Sequence, residues 1–133
     1  MESLLIVDDE VIIADGLYHM LQEVFQDRLE VRRCYSCDEA CAVMNRNRVD
    51  ILLTDIEMPH MNGMELAATI RTHLPGALII FITAYTKYAL DAFELSAFRY
   101  IDKEMLPEKL PTAIRDAFRI LHMRTDQYYP LSN

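Results

Sequence analysis

The chain has 133 residues, of which 52% are apolar, and it carries a formal net charge of −8 from 13 basic and 21 acidic residues. This length and apolar content fit one globular domain with its own core and exclude a disordered tail. The acidic balance aids solubility and disfavours direct binding to nucleic acid, because it repels phosphate backbones.

No membrane segment and no signal peptide are expected. The longest apolar run covers residues 77–82, which is far too short to cross a bilayer, and the first residues lack a basic region. Three cysteines, Cys34, Cys37 and Cys41, are an odd number in a chain without a secretory leader. They predict ordinary thiols in a reducing, cytoplasmic setting.

Short apolar runs alternate with segments of helical period along the chain. Three of the runs are continuously apolar, which predicts strands buried on both faces and therefore a parallel sheet. The second run mixes apolar residues with arginines and indicates a more exposed edge strand. In chain order, a strand is predicted at 4–7, a helix at 11–25, a strand at 29–35, a helix opening at Ser36, a strand at 51–53, a helix at 64–73, a strand at 78–82, a helix at 87–95, a strand at 97–101 and a helix from Pro107 to about Met123.

Local signals set the ends of these elements. Ser36 with Glu39 three residues later predicts a capping box, and Pro107 suits the first turn of the last helix. Pro111 is expected to leave that turn irregular or kinked. The alternation of strands and helices predicts an α/β domain, a doubly wound five-stranded parallel sheet with helices on both faces.

Polar residues follow four of the five predicted strands. In an open parallel sheet, ligands bind beyond the carboxyl ends of the strands, so these residues are expected to meet in one pocket if the second strand is an edge. Polar residues also simply end strands, and for any single strand that explanation suffices. The residues are Asp8 and Asp9 after the first strand, Asp55 after the third, Thr83 after the fourth and Lys103 after the fifth.

Such a pocket would suit phosphoryl transfer. Clustered aspartates raise each other's pKa unless a cation is present, and Mg²⁺ accepts carboxylate ligands while leaving a position for a phosphate oxygen. A carboxylate such as Asp55 can attack phosphorus and form an aspartyl phosphate. The transferring group needs positive charge and hydrogen-bond donors, which Lys103 and Thr83 would supply.

These residues resemble the receiver domain of two-component response regulators over about residues 3–122. Four motifs in order at their expected strand ends are a specific signal. They are LIVDDE at 5–10, DIEMPHMNG at 55–63, Thr83-Ala84, and YIDK at 100–103.

The resemblance implies a flavodoxin-like (βα)5 fold with strand order 2-1-3-4-5, a receiver domain over residues 1–123, and a tail or the start of a linker at 124–133. It implies that a sensor histidine kinase donates the phosphoryl group and that Mg²⁺ is bound, with Mn²⁺ as a substitute. The implied roles are metal binding by Asp8, Asp9, Asp55 and the backbone carbonyl of Glu57, phosphoryl acceptance by Asp55, pairing of the phosphoryl group with Lys103, and switching by Thr83 and Tyr100.

The implied function is a signalling switch rather than an ordinary enzyme. The domain would catalyse its own phosphoryl transfer and slow autodephosphorylation, and would change conformation to control an output, expected to be transcription. A homodimer through the fourth helix, fifth strand and fifth helix is expected, without direct contact to nucleic acid or membrane.

Three positions depart from the family pattern. Glu104 stands where a proline usually follows the lysine, which leaves a cis or a trans bond open at that point. Ser96 replaces the usual glycine at the end of the fourth helix, so a left-handed backbone there would be strained. Pro111 is the third departure.

Two other functions remain open from the sequence alone. A haloacid-dehalogenase-like phosphatase also uses an aspartate at a strand end, but it needs a second aspartate two positions later, where this chain has Glu57. It also gives no role to Asp8 and Asp9. A degenerate receiver that acts only as a protein-binding module is the alternative that Glu104 makes conceivable.

Overall fold

A computed structural model describes the chain at residues 1–59, 62–84, 87 and 89–128. Its strands and helices alternate as expected. The strands are β1 (Glu2–Val7), β2 (Leu29–Cys34), β3 (Ile51–Asp55), β4 (Leu78–Thr83) and β5 (Arg99–Asp102). The helices are α1 (Val11–Phe25), α2 (Cys37–Arg46), α3 (Gly63–His73), α4 (Ala89–Glu94) and α5 (Leu106–Tyr128).

The strands form one parallel sheet in the order β2-β1-β3-β4-β5. This confirms the predicted fold and places β2 at one edge. Successive residues of β1 enter opposite cores: Leu4 and Ile6 pack on the side of α1 and α5, and Leu5 and Val7 on the side of α2, α3 and α4. Because both faces of the central strands are covered, their sequences are continuously apolar.

Helix caps account for the starts of α2 and α3. The Ser36 hydroxyl accepts a hydrogen bond from the Glu39 amide at 3.2 Å. The carboxylate of Glu39 accepts from the Ser36 hydroxyl and from the Tyr35 amide, so Ser36 caps α2 without the reciprocal backbone bond of the predicted box. The reciprocal capping box belongs instead to Asn62 and Glu65 at the start of α3, where it satisfies two exposed backbone donors.

The last helix starts at Leu106, so Pro107 lies in its first turn as predicted, but the helix differs from its prediction further along. A 3-10 turn at Lys103–Met105 precedes it, and α5 then runs through Pro111 without interruption. It continues to Tyr128 instead of ending near Met123. Arg124 helps to anchor this extension, because its guanidinium donates to the carbonyl oxygen of Gly76. Residues 129–133 of the predicted tail lie outside the described part of the chain, and the boundary after residue 123 stays a prediction.

Two further expectations can be compared with the structure. Ser96 adopts the left-handed conformation expected of it, with φ of 57°, which is unusual for a residue other than glycine. The three cysteines form no disulfide, and burial raises the pKa of Cys34 and of Cys37 to about 11. None of the helices in the described ranges is long and apolar enough to cross a membrane.

Candidate phosphoryl-acceptor site

The carboxyl ends of β1, β3, β4 and β5 gather the predicted site residues at one edge of the sheet. Asp8 and Asp55 are buried, and so is Thr83, which ends β4 with 1% of its surface exposed. Asp9 is exposed at the rim. Since these strands are parallel neighbours in the sheet, residues from distant parts of the sequence open into the same cleft.

Asp55 is fixed through both carboxylate oxygens. Its Oδ1 accepts a hydrogen bond from the Ile56 amide at 2.7 Å, and its Oδ2 accepts one from Lys103 Nζ at 3.0 Å. Burial raises the pKa of Asp55 above its ordinary value, although the hydrogen bond and charge of Lys103 oppose that shift. The carboxylate is therefore held rigidly, with one oxygen on the side of the ammonium.

Asp8 is the most deeply buried carboxylate of the cleft. Its Oδ1 accepts the Glu10 amide at 2.9 Å, whereas its Oδ2 lies 3.2 Å from Lys103 Nζ, an ion-pair contact without hydrogen-bond geometry. Burial raises the pKa of Asp8 to about 6, and the charge of Asp55 adds to the shift, although the Glu10 amide opposes it. Asp8 thus has one buried oxygen that no hydrogen-bond donor of the described residues satisfies.

Lys103 joins three carboxylates at once. Its ammonium lies 2.8 Å from Glu10 Oε1, in addition to the contacts with Asp55 and Asp8. Burial by itself lowers the pKa of Lys103, but the hydrogen bonds to Glu10 and Asp55 outweigh it and raise the pKa. Glu10 had no role predicted from sequence. The only signal for it was a third acidic residue directly after the Asp8-Asp9 pair.

The backbone around Lys103 compensates for the absence of a proline after it. The Lys103–Glu104 peptide bond is trans. The Glu104 amide donates to Asp102 Oδ1 at 2.9 Å, which caps the 3-10 turn at Lys103–Met105. A proline at 104 has no N–H and could not make this bond. Lys103 therefore reaches Asp55 in spite of Glu104.

The start of α3 packs directly against the backbone of the acceptor residue. The Gly63 amide donates to the Ile56 carbonyl at 2.7 Å. A Cβ added to Gly63 would lie 2.0 Å from the carbonyl oxygen of Asp55 and 2.9 Å from the Ile56 Cα. Since those are backbone atoms, only glycine fits without moving the acceptor strand.

Replacing Gly63 by alanine is therefore expected to lower the free energy of unfolding by about 2 kcal/mol, because the new methyl group overpacks the junction of β3 and α3. Urea unfolding measures the change. Gly16→Ala is the matched control. A Cβ at Gly16 meets no atom within 4 Å, so this substitution in α1 should raise stability by about 0.5–1 kcal/mol. Equal stability of Gly63→Ala and the parent would contradict the close approach.

The remaining predicted residues lie around this centre. Glu57 follows β3, and its side chain forms an ion pair with Lys87 at 3.3 Å, which bridges the segments after β3 and β4. Tyr100 is half-buried on β5 and packs against the core beneath α3 and α4. His60 and Met61, within the motif at 55–63, are outside the described residues.

The three aspartates suit a hard divalent cation. One carboxylate oxygen from each of Asp8, Asp9 and Asp55 lies within 4.8 Å of the other two. Within the described residues, no donor makes a hydrogen bond to the buried Oδ2 of Asp8, and the ammonium of Lys103 does not balance this many carboxylates. Oxygen ligands, negative charge and partial exposure through Asp9 are the features by which Mg²⁺ is bound in proteins. The residues therefore fit the ion predicted from the sequence.

Comparison with known proteins identifies relatives over almost the whole chain. The family model described as the response regulator receiver domain matches residues 4–115. The transcriptional regulatory protein BtsR of Salmonella typhi is 38% identical over 112 residues, which are 83% of this chain and 45% of that protein. The sensory transduction protein LytT of Bacillus subtilis is 30% identical over 115 residues, 86% of this chain and 47% of that protein. The chain spans about half the length of the curated relatives it matches.

Solved structures show the same fold. The response regulator protein TrrA from Thermotoga maritima, crystallised in complex with Mg²⁺-BeF, is 32% identical, with a TM-score of 0.78. The similarity covers 88% of this chain and 99% of that one. A response regulator receiver domain protein from Clostridium thermocellum is 26% identical with a TM-score of 0.82, and covers 92% of this chain and 98% of that one.

Proposed function

This chain belongs to the response regulator receiver domain family of two-component systems, and we propose that it is a switch that accepts a phosphoryl group on Asp55. The observation that carries the proposal is the contact of 3.0 Å between Lys103 Nζ and Asp55 Oδ2, in a cleft that also holds two further aspartates. A nucleophilic carboxylate, a fixed cation and an acidic cation site are together what phosphoryl transfer to aspartate requires.

In the proposed reaction, Oδ2 of Asp55 attacks the phosphorus of the donor. A new oxygen–phosphorus bond forms as the bond from phosphorus to the donor breaks, and the donor leaves with that electron pair. Lys103 Nζ is close enough to move from Oδ2 to an oxygen of the phosphoryl group, whose charge it would stabilise. When bound by Asp8, Asp9, Asp55 and the carbonyl of Glu57, Mg²⁺ would supply positive charge to the same oxygens.

The switch itself would depend on Thr83 and Tyr100. Thr83 ends the strand next to β3, and Tyr100 lies on β5, paired in register with Phe81 of β4. A phosphoryl group on Asp55 that accepts a hydrogen bond from the Thr83 hydroxyl would favour one of two conformations, and Tyr100 would repack with it. Slow autodephosphorylation, by water attack at the same phosphorus, is part of the proposal.

Incubation with Mg²⁺ and acetyl phosphate tests the proposed function. Intact-mass measurement should show one phosphoryl group per chain, and EDTA should prevent its appearance. A chain that takes up neither this group nor beryllofluoride would instead be a degenerate receiver that works only through protein contacts. We prefer the phosphorylated switch to the degenerate receiver because all of the expected site residues are present: Asp8, Asp9, Asp55, Thr83 and Lys103.

A sensor histidine kinase is the proposed donor, and an apolar groove beside the cleft supports it. The groove lies between α1 and the start of α5 and has a volume of about 280 Å³. Its walls include Ile12, Met20, Pro107 and Lys103, so it is continuous with the acceptor site. Ile12 is 86% exposed, as suits a contact for an apolar helix of the donor.

The donor in this test is an autophosphorylated kinase that phosphorylates the parent chain. Ile12→Asp is expected to slow phosphoryl transfer from it by about tenfold, because a charge replaces an apolar contact. Loading from acetyl phosphate should not change. Val24→Asp is the matched control, since Val24 is also exposed on α1, at 44%, but lies at its far end. A stopped-flow or gel assay measures the rate of transfer. Equal slowing by both substitutions would mean that the donor does not bind at this groove.

Two further parts of the proposal concern output. Control of transcription is supported by the description of BtsR as a transcriptional regulatory protein. A homodimer through α4, β5 and α5 is supported by Phe93, which is 79% exposed on α4. Sedimentation velocity with and without beryllofluoride tests the dimer.

A further inference from the structure

Glu10 makes the shortest contact to the lysine of the cleft. We propose that Glu10 is a positioning residue that holds the Lys103 ammonium before phosphorylation and competes for it with the phosphoryl group. The inference rests on the proposed function of Asp55. Glu10 would thus oppose phosphorylation of Asp55. Its side chain contacts Lys103, and its backbone amide contacts Asp8.

The three carboxylates around Lys103 differ in burial. The side chain of Lys103 is 15% exposed, and those of Asp55 and Asp8 are 7% and 0% exposed, whereas that of Glu10 is 61% exposed. Glu10 Oε1 is nevertheless the nearest of the three, at 2.8 Å against 3.0 Å and 3.2 Å. Glu10 therefore draws the ammonium toward the outer side of the cleft, while the two aspartates draw it inward.

The backbone of Glu10 is fixed, so this contact is more than the chance meeting of two long side chains. Its amide donates to Asp8 Oδ1, and its carbonyl accepts from the Ala14 amide as the first bond of α1. Glu10 occupies the N-cap position of α1, yet its side chain makes no capping hydrogen bond. The carboxylate is directed at Lys103 instead, 93 positions away in the sequence.

Competition follows from the position of the ammonium, which Glu10 draws toward the outer side of the cleft. Lys103 has three N–H groups and donates one to Glu10 and one to Asp55. A phosphoryl group on Asp55 needs donors and positive charge at its oxygens. A hydrogen bond that Glu10 keeps with Lys103 weakens the pairing of the ammonium with the phosphoryl group. The negative charge of Glu10 also repels the incoming anion. Glu10→Gln keeps the backbone contacts and removes the charge.

The experiment is a titration with beryllofluoride in the presence of Mg²⁺, followed by ¹⁹F NMR. Glu10→Gln is expected to raise the apparent affinity by about two- to fivefold, the range for a partly exposed ion pair. Glu23→Gln is the control, since it removes the same charge from an exposed position in α1 and should leave the affinity unchanged. Unchanged or weaker binding by Glu10→Gln would overturn the proposal.

A double-mutant cycle separates positioning from simple repulsion of the anion. In a Lys103→Gln background, the gain from Glu10→Gln should disappear, and a gain of the same size would show that Glu10 acts on the anion directly. The same cycle in urea, with EDTA and no anion, reports the contact in the resting protein. There Glu10→Gln should lower the unfolding midpoint only when Lys103 is present, and equal shifts in both backgrounds would disprove the contact. If the parent binds no beryllofluoride, the proposed function fails and the urea cycle alone decides the role of Glu10.

Discussion

Asp55→Asn should abolish loading by acetyl phosphate and Mg²⁺, with a rate at least about 10³-fold below that of the parent. The amide lacks the nucleophilic oxygen that becomes bonded to phosphorus. Thr54 and Ile56 on either side offer no second carboxylate. Intact-mass measurement over time gives the rate, and Asp27→Asn, at an exposed position beyond α1, is the control for a change of one charge.

Loss of loading by Asp55→Asn should not reflect unfolding. Burial raises the pKa of Asp55, so its ionised form costs the folded state free energy at neutral pH, and a neutral amide of the same shape removes that cost. Lys103 keeps Asp8 and Glu10 as partners. We therefore expect the variant to be at least as stable as the parent in urea at pH 7 with EDTA. A variant that still acquires one phosphoryl group would move the acceptor to another residue.

The parts of this molecule that could be predicted from sequence are those encoded locally. Continuous apolar runs specified strands covered on both faces, and the 3.6-residue period specified α1 at Val11–Phe25, the bounds that the structure has. The site followed from the sheet, because the ends of parallel strands share an edge. Asp8, Asp55, Thr83 and Lys103 were placed together by that rule alone.

Contacts that depend on side-chain direction could not be predicted in this way. Glu10 and Lys103 meet only because the 3-10 turn after β5 aims the lysine across the cleft. The sequence leaves open how Lys103 is positioned when Glu104 follows it in place of proline. The Asp102 cap of the 3-10 turn accounts for that position, and it is visible only in the backbone geometry. The sequence from Arg124 onward shows no helical period that predicts the extension of α5 to Tyr128, and the contact from Arg124 to Gly76 is a tertiary one.

The buried acids also make stability depend on pH in an unusual direction. Asp8 has a pKa of about 6 in the folded protein against an ordinary value of 3.8, and burial shifts Asp55 the same way. The folded state therefore binds protons more tightly than the unfolded chain. The contribution of Asp8 to stability is complete below about pH 4 and is lost as the pH rises through 6. Lys103, whose pKa is raised, stays charged throughout this window.

In EDTA, the free energy of unfolding is thus expected to fall between pH 4 and pH 7, with Asp8 contributing on the order of 2–3 kcal/mol of the loss at 1.36 kcal/mol per pKa unit. Urea unfolding at each pH measures the fall. Asp8→Asn should flatten it and raise stability at pH 7, because the neutral amide carries no charge to desolvate. A fall of the same size in the variant would show that Asp8 is not its source.

Mg²⁺ should reverse the effect, since a cation that binds the folded cleft stabilises it by mass action. At pH 7, millimolar Mg²⁺ is expected to raise the free energy of unfolding of the parent and to leave Asp8→Asn almost unchanged. The gain should shrink at pH 5, where Asp8 takes up a proton and competes with the ion. The same buried charge that weakens the metal-free protein is thus what gives the cleft its affinity for a cation, so stability and ion binding must change in opposite directions when Asp8 is neutralised.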